Sequence, residues 1–379
     1  MTRDELVAKI EALRLLKDEV QAINFGIADK DTFKNELVYL TNCVVADAIP
    51  TVPEEFRQLE SIVQIISQWC ELMKDSVGYR LCDEMSFCIV QLISKWDKKA
   101  HEKFVVFTLG DYAINKLKRN KVSKLFDVLI VVSLKYQVSF TKEPVFIRVP
   151  DEFKDGVLSN IVLFHEVGHF VDFDNAISEY VSDDVENEIN GKPSARILRD
   201  YFPSFFNKPF DATTKGKIAI YVSEYVADVF GCIYAGSHIL NYLSYLEGNT
   251  PKRESKTHPS YLCRKKMVDS FIAYCKYGDT KDNLLSYILN AINSIFNTSI
   301  GIVDSNKKEE DFLSGTYMIA DVDDMFTLFI KPWDMIIRER TNKKLGRVSK
   351  EEYKKLMEMD LYKTLDENMR SSIRELMNR

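Results

Sequence analysis

The sequence predicts an α+β protein that is mostly helical, with a small mixed sheet and buried helices between helical N-terminal and C-terminal units. Apolar residues recur at helical spacing over most of the chain, and a short β-branched segment between prolines interrupts them. Hydrophobic residues (46%) and charged residues (28%) have the balance of a folded chain rather than a disordered one. We expect three segments, at residues 1–120, 121–280 and 281–379.

The first segment, residues 1–120, has the pattern of a helical unit. Thr2-x-x-Glu5 is a capping box that begins the first helix. Apolar runs at helical spacing continue to the end of the segment, the last two covering about 78–96 and 101–117. No residue pattern in this segment indicates chemistry.

The pattern changes in the second segment. Residues 125–134 and 137–140 are rich in β-branched side chains, which favour strands. Residues 144–150 form a short strand pattern between two prolines, which suits a sheet edge. Helical spacing returns at about 156–174. The acidic stretch 172–190, with seven carboxylates and no Lys or Arg, is typical of a solvated connection.

The third segment, residues 281–379, returns to helical spacing, and it ends with a Ser349-x-x-Glu352 capping box and a helix of mixed charge. We expect a helical C-terminal unit.

Charge and cysteine usage restrict the partners and the compartment. The net charge of −6 gives no general attraction to nucleic acid, so we expect no nucleic-acid partner. The seven cysteines are odd in number and form no Cys-x-x-Cys pair, which is typical of reduced thiols. The N-terminus is charged, and the apolar run 125–134 is too short to span a bilayer. We therefore expect a cytoplasmic protein without a membrane span.

The segment 164–170 contains the sequence His165-Glu166-x-x-His169. Residues four apart on a helix share a face, so the two imidazoles can converge on one metal ion. Glu166 then projects beside the metal, where it can take a proton from water. Gly168 costs about 1 kcal/mol relative to Ala inside a helix, which indicates that another backbone approaches there. The alternative is that the two histidines are core or surface residues that fall four apart by chance.

A second apolar helix, expected at about 217–246, supplies the third ligand. A catalytic zinc site uses three protein ligands and leaves one position open. Glu224 is the predicted third ligand, and Asp228 shares its helix face. Asp228 can accept the free ring N–H of a ligand histidine and so fix its orientation. The alternative is a pair of surface acids, although their neighbours are strongly apolar.

The order His165-Glu-x-x-His169 and then Glu224-x-x-x-Asp228 resembles the gluzincin branch of the zincin metallopeptidases. The likeness is nearest to the family of the CAAX prenyl proteases and bacterial heat-shock membrane peptidases, in which a His-Pro pair and an Arg commonly follow. Here these are His258-Pro259 and Arg264.

This resemblance covers about residues 125–270 and implies a zincin-like catalytic core. Such a core has a mixed sheet above two active-site helices, with an edge strand that pairs extended substrate. It also implies a role at the site for His258 or Arg264. Members of that family are usually embedded in membrane, whereas no span is expected here, so their membrane substrates are not carried over.

Three further residues are candidates for contact with substrate. His258 could donate a hydrogen bond to the oxyanion that forms when water attacks a carbonyl, or it could instead order its loop. Arg264 and Tyr221 are candidates for contact with the transition state or the substrate, although a buried tyrosine usually serves packing.

Together these features predict a zinc-dependent endopeptidase, with Zn²⁺ as cofactor, that hydrolyses a protein or peptide substrate inside the cell. The helical units beyond the core suggest a regulatory or defensive role. The alternative is a non-catalytic binding or scaffold protein that retains a metal site. The intact Glu166 argues against this alternative, because metal binding alone requires no general base.

Overall fold

The chain folds into two compact units that are mostly helical, as seen in a computed structural model. The structure describes residues 2–78, 82–97, 103–109, 122–148, 156–190, 192, 194–208, 211–247, 254–340 and 350–379. Unit 1 comprises Met1–Cys82 and Lys98–Asp155, and unit 2 comprises Asp83–Asp97 and Gly156–Arg379. These bounds do not coincide with the three predicted segments, because the sheet belongs with the N-terminal helices and the C-terminal helices belong with the His165 helix.

Four helices are described in unit 1. They are α1 (Arg3–Gln21), α2 (Ala28–Val45), α3 (Pro53–Gly78) and α5 (Val122–Lys135). The predicted capping box begins α1, since the Thr2 hydroxyl accepts a hydrogen bond from the Glu5 backbone and the Glu5 carboxylate accepts one from the Thr2 backbone. Both α2 and α3 pack against α1, and the core between them is aromatic and aliphatic around Trp69.

The sheet of unit 1 has two parallel strands, β1 (Phe104–Leu109) and β2 (Glu143–Arg148). The strand predicted between Pro144 and Pro150 is confirmed as β2, and its last two residues lie outside the described part. The helix predicted over 101–117 is wrong at β1. Burial alternates from Phe104 to Phe107, and Thr108 and Leu109 are then both buried, which suits a strand covered on both faces at its end.

The strand pattern predicted at residues 125–134 is also wrong, because α5 occupies it. Residues 137–140 form no strand either. In α5, Leu129 and Val132 are buried while Val131 is exposed, which is a helical stripe within a segment rich in β-branched residues. Two parallel strands need a long crossover, usually a helix, and α5 lies in the connection between β1 and β2. Tertiary context therefore outweighs the intrinsic strand preference.

The regular secondary structure described in unit 2 is all helical, with loops between the helices. Its helices are α4 (Asp83–Trp96), α6 (Val162–Asn175), α7 (Ile177–Ile189), α8 (Arg196–Tyr201), α9 (Ala212–Ala235), α10 (Ile239–Glu247), α11 (Tyr261–Tyr277), α12 (Asn283–Phe296), α13 (Glu309–Ser314), α14 (Val322–Phe326), α15 (Ile330–Arg340), α16 (Lys350–Glu358) and α17 (Asp360–Met377). The helical C-terminal part that the sequence predicts is thus confirmed where it is described; Ser349 of the last capping box lies outside that part. The small mixed sheet expected beside the active-site helices is not found, since the strands described are parallel and belong to unit 1.

The acidic stretch 172–190 is helical rather than a connection. It contains the end of α6 and all of α7, whose Ile177, Val181, Val185 and Ile189 are buried at four-residue spacing. The carboxylates between them occupy mainly the outer face of α7, so the stretch is acidic in composition and amphipathic in pattern.

A long apolar stretch of unit 2 includes α9 and most of α10. The stretch Ala212–Ser244 is long and apolar enough to cross a membrane by length and composition, and 83% of its most apolar window is buried within the protein. Burial of this kind is what the core helix of a globular unit shows, so the hydropathy of this stretch is weak evidence for a span.

Candidate metal centre

The two central helices, α6 and α9, pack against each other at unusually short range. A Cβ atom added at Gly168 would lie 2.8 Å from the Ala227 Cα and 2.8 Å from the Phe230 Cβ, so only glycine fits without a shift. His169, one position later on α6, meets Ser223, one turn earlier on α9. The helices therefore run antiparallel here, and the close backbone approach expected at Gly168 is present.

This packing brings His165 and His169 of α6 together with Glu224 of α9. Their imidazole centroids are 4.7 Å apart. The His165 Nε2 lies 3.5 Å from Glu224 Oε2, and the His169 Nε2 lies 3.5 Å from Glu224 Oε1. Zinc bonds of about 2.0–2.1 Å at tetrahedral angles put neighbouring ligand atoms about 3.4 Å apart. Each of these nitrogen–oxygen distances is close to that value, so the three side chains converge as the ligands of one metal ion would.

Burial and missing hydrogen bonds support the same fit. Within the described part of the chain, the His169 Nε2 and the Glu224 Oε2 are buried and have no hydrogen-bond partner. Buried polar atoms are normally paired, and an unpaired one costs about 1–3 kcal/mol. The side chains of His165 and Glu224 are only 4% and 3% exposed. Their donor atoms converge within 4.8 Å of one another, so the cluster can hold a metal ion.

Asp228 and Arg264 surround the other side of His165. The His165 Nδ1 lies 3.1 Å from Asp228 Oδ1, and Arg264 donates to both Asp228 oxygens, at 2.6 and 2.9 Å. A carboxylate only accepts, so Nδ1 carries a proton, and when the ring is neutral its Nε2 lone pair faces the cluster. Arg264 is buried, with its Nη2 also 3.4 Å from Glu224 Oε2.

The charges in the cluster shift the ionisation of its members. Burial alone would lower the pKa of His165, but the adjacent carboxylates of Asp228 and Glu224 raise it to about 9. Burial likewise opposes ionisation of Glu224, yet the two imidazoles and Arg264 hold its pKa well below the usual range. The pKa of Asp228 is lowered too, because the charge of Arg264 outweighs burial. In the metal-free protein the cluster is thus an ion-paired network.

Glu166 follows His165 directly on α6 and is partly buried. One residue along a helix is a rotation of about 100°, so its side chain leaves the helix face that carries His165 and His169. That Glu166 takes a proton from water stays a prediction.

His258 lies at the edge of the cluster. Its Nε2 is 3.4 Å from Glu224 Oε1, and its side chain is 44% exposed. It is therefore open to solvent and to a bound molecule, whereas the side chains of His165 and His169 are mostly covered.

Tyr221 and Arg264, the other candidates for substrate contact, are in the core. The Tyr221 hydroxyl donates to the backbone oxygen of Ser255 at 2.7 Å, and Tyr221 is fully buried. Arg264 is committed to Asp228. Both side chains support other residues of the centre in this structure, and neither is open to substrate.

Two residues near the cluster were missed by the sequence analysis. The Ser223 hydroxyl lies 3.3 Å from the His169 Nδ1, and it can fix the orientation of that ring as Asp228 fixes His165. Ser255 accepts hydrogen bonds from the backbone beside His258. The spacing Ser255-x-Thr257-His258 is a serine-turn signal that could have indicated the second residue, whereas no local pattern indicates the first.

Comparison with known proteins gives no relative: no protein-family model, no curated protein and no solved structure matches the chain.

A cavity of about 350 Å³ elsewhere in unit 2 has Tyr201, Lys266 and Asp282 among its lining residues. Its side chains are paired with one another, for example Lys266 with Asp200 at 2.7 Å, so it offers less to a ligand than the metal centre does.

Proposed function

We propose that this chain is a zinc-dependent endopeptidase whose metal is held by His165, His169 and Glu224. The observation that supports this proposal is the buried, convergent cluster of two imidazoles and one carboxylate, two of whose ligand atoms have no hydrogen-bond partner in the described structure. Imidazole nitrogen with one carboxylate is a ligand set that suits zinc, and three protein ligands leave a coordination position open for catalysis.

The residues around the cluster have separable roles in hydrolysis. A bound zinc ion would lower the pKa of a water molecule toward neutrality and polarise the substrate carbonyl. Glu166 would take the proton of the attacking water and deliver it to the leaving amine. His258 would donate a hydrogen bond to the carbonyl oxygen as negative charge develops on it. Asp228 would hold the His165 ring in the tautomer that binds metal.

The likeness to gluzincins remains part of the proposal. It depends on the order of the ligand motifs along the chain and on their placement on two antiparallel helices in unit 2. We also propose a reducing, cytoplasmic setting and a protein or peptide substrate. None of the seven cysteines, all of which are described, is in a disulfide. A regulatory or defensive role would suit the helices of unit 2 that lie outside the centre.

The experiment compares wild type, Glu166→Gln and Glu179→Gln, each loaded with zinc, on a peptide library. Glu179 is an exposed residue in the first turn of α7 and serves as the matched control. We expect Glu166→Gln to lower kcat by at least about 100-fold while zinc content stays the same, and Glu179→Gln to behave as wild type. Mapping new protein N-termini in cells that express wild type or Glu166→Gln would then identify the substrate.

The same experiment separates the proposal from its alternative. If Glu166→Gln matches wild type in every assay, or if zinc-loaded wild type cleaves nothing, the chain is better described as a binding or scaffold protein with a retained metal site.

A further inference from the structure

A short turn before α11 fixes the position of His258. The Ser255 hydroxyl accepts hydrogen bonds from the backbone N–H of Thr257 at 3.1 Å and of His258 at 2.8 Å. The Ser255 backbone N–H donates to the His258 carbonyl at 3.0 Å. The Thr257 hydroxyl lies 2.8 Å from the His258 Nδ1. These contacts restrain both the backbone and the ring of His258, although Ser255 and Thr257 are exposed.

The first residue of the turn, Ser255, is hydrogen-bonded to α9, the helix that carries Glu224. Tyr221, three residues before Glu224 on α9, donates its hydroxyl to the Ser255 carbonyl at 2.7 Å. Tyr221 is fully buried and its ring stacks on Phe202, with centroids 6.5 Å apart. The helix that supplies the carboxylate ligand therefore also sets the position of Ser255.

The segment that follows the turn is also attached to α9, through Arg264. The Ser260 hydroxyl caps α11 by accepting from the Cys263 backbone. Arg264, in the first turn of α11, pairs with Asp228 of α9. Between these two attachments, the His258 Nε2 comes to 3.4 Å from Glu224 Oε1. The three contacts to α9 thus involve Tyr221, Glu224 and Asp228, which follow one another along one side of that helix.

We infer that Ser255 is a positioning residue that holds the His258 imidazole at the metal centre, with Tyr221 as its anchor. This inference rests on the proposed peptidase function. A hydrogen-bond donor stabilises a developing oxyanion only when it is fixed in advance, and an exposed side chain on a free loop would spread over several rotamers. The Ser255 turn removes that freedom. The Ser255 hydroxyl also lies 3.4 Å from the His258 Nδ1, on the side of the ring away from the Nε2 that faces Glu224.

The kinetic test uses Ser255→Ala in the zinc-loaded full chain, with Lys256→Ala as the control from the same turn. Lys256 is exposed and makes none of the hydrogen bonds described above. We expect Ser255→Ala to lower kcat by about 10-fold with KM and zinc content unchanged, Ser255→Thr to restore the rate, and Lys256→Ala to match wild type. Tyr221→Phe, which keeps the ring and loses the hydroxyl, should resemble Ser255→Ala.

A double variant decides whether Ser255 acts through His258. His258→Ala should lower kcat by about 100-fold, and adding Ser255→Ala to it should cause no further loss, because the group that Ser255 positions is already absent. If Ser255→Ala lowers kcat equally with and without His258, Ser255 has a merely structural role and the inference is overturned.

A spectroscopic test needs no activity. The chain has five histidines, so histidine-selective ¹⁵N labelling of the metal-free protein gives five imidazole spin systems, and His258→Gln assigns one of them. We expect Ser255→Ala to shift or broaden the His258 signals and to leave the other four in place. Unchanged His258 signals overturn the inference even if the enzyme is active, whereas shifted signals in a protein that cleaves nothing support the turn's role and refute the proposed function alone.

Discussion

The close contact of Gly168 on α6 with α9 allows a test of whether helix packing sets the spacing of the proposed metal ligands. In Gly168→Ala, the new Cβ would lie 2.8 Å from the Ala227 Cα and the Phe230 Cβ, whereas carbon atoms in contact are about 3.5–4.0 Å apart. The helices must therefore separate locally by about 0.7 Å or more. Neither clashing atom can rotate away, because one belongs to the backbone and the other is attached to it.

This separation acts on the ligands directly, since the imidazoles lie on α6 and Glu224 lies on α9. The nitrogen–oxygen distances of 3.5 Å would rise to about 4 Å. A metal site tolerates errors of only about 0.2 Å in its bond lengths, so we expect zinc affinity to fall by at least about 10-fold. The free energy of unfolding should fall by about 1–3 kcal/mol through overpacking, less the gain of up to about 1 kcal/mol that Ala brings to a helix.

Gly216→Ala is the matched control. Gly216 lies within α9, is exposed, and has open space where a Cβ would be added. This variant should raise the free energy of unfolding by about 0.5–1 kcal/mol and leave zinc affinity unchanged. Urea denaturation of the metal-free proteins and competition with a chromophoric chelator measure the two quantities. If Gly168→Ala is as stable as Gly216→Ala and binds zinc as tightly as wild type, the close approach does not set the ligand geometry.

Two further predictions concern the ion-paired network. Asp228→Asn should weaken zinc binding by about 10–100-fold and lower the free energy of unfolding by about 3 kcal/mol, because it removes the closer of the two carboxylates that face the buried Arg264 and leaves only Glu224, at 3.4 Å; wild-type values in the same two assays would contradict this. Zinc binding at pH 7.5 should release about one proton. A pKa of about 9 means that His165 is protonated there in the metal-free protein, and zinc needs the neutral ring. Affinity should therefore weaken as the pH falls below 9. Calorimetry in buffers of different ionisation enthalpy counts the protons, and a count near zero would show that His165 is already neutral.

The arrangement on α6 could be predicted from the sequence because it depends on local helix geometry. Four-residue spacing places His165 and His169 on one face whatever the fold. The cost of Gly168 inside a helix pointed to a close backbone, and Ala227 of α9 is that backbone. Similarly, the apolar neighbours of Glu224 indicated that its helix is buried.

The fold of unit 1 could not be predicted as well, because it depends on contacts distant in sequence. The apolar, β-branched segments at 104–109 and 125–134 both suit a strand or a buried helix. Helical spacing assigned the first wrongly, and strand preference assigned the second wrongly. Pairing with β2 makes the first a strand, and the need for a crossover between parallel strands makes the second a helix.

Hydrogen bonds between distant elements could not be predicted from the sequence either. The sequence shows no relation between Tyr221 and Ser255, or between Arg264 and Asp228, since each pair is joined only when α9 and the segment leading into α11 pack together. A motif-based comparison gave Arg264 a place near the centre, but its partner could be identified only from the structure.

Zinc content and the zinc K-edge X-ray absorption spectrum of the reconstituted chain test the central claim most directly. The account predicts one zinc per chain, with two imidazole nitrogens and carboxylate or water oxygen at about 2.0–2.2 Å, and loss of the imidazole signal in His165→Ala/His169→Ala. A chain that binds no zinc, or one whose spectrum shows sulfur ligands or survives the double substitution, would contradict it.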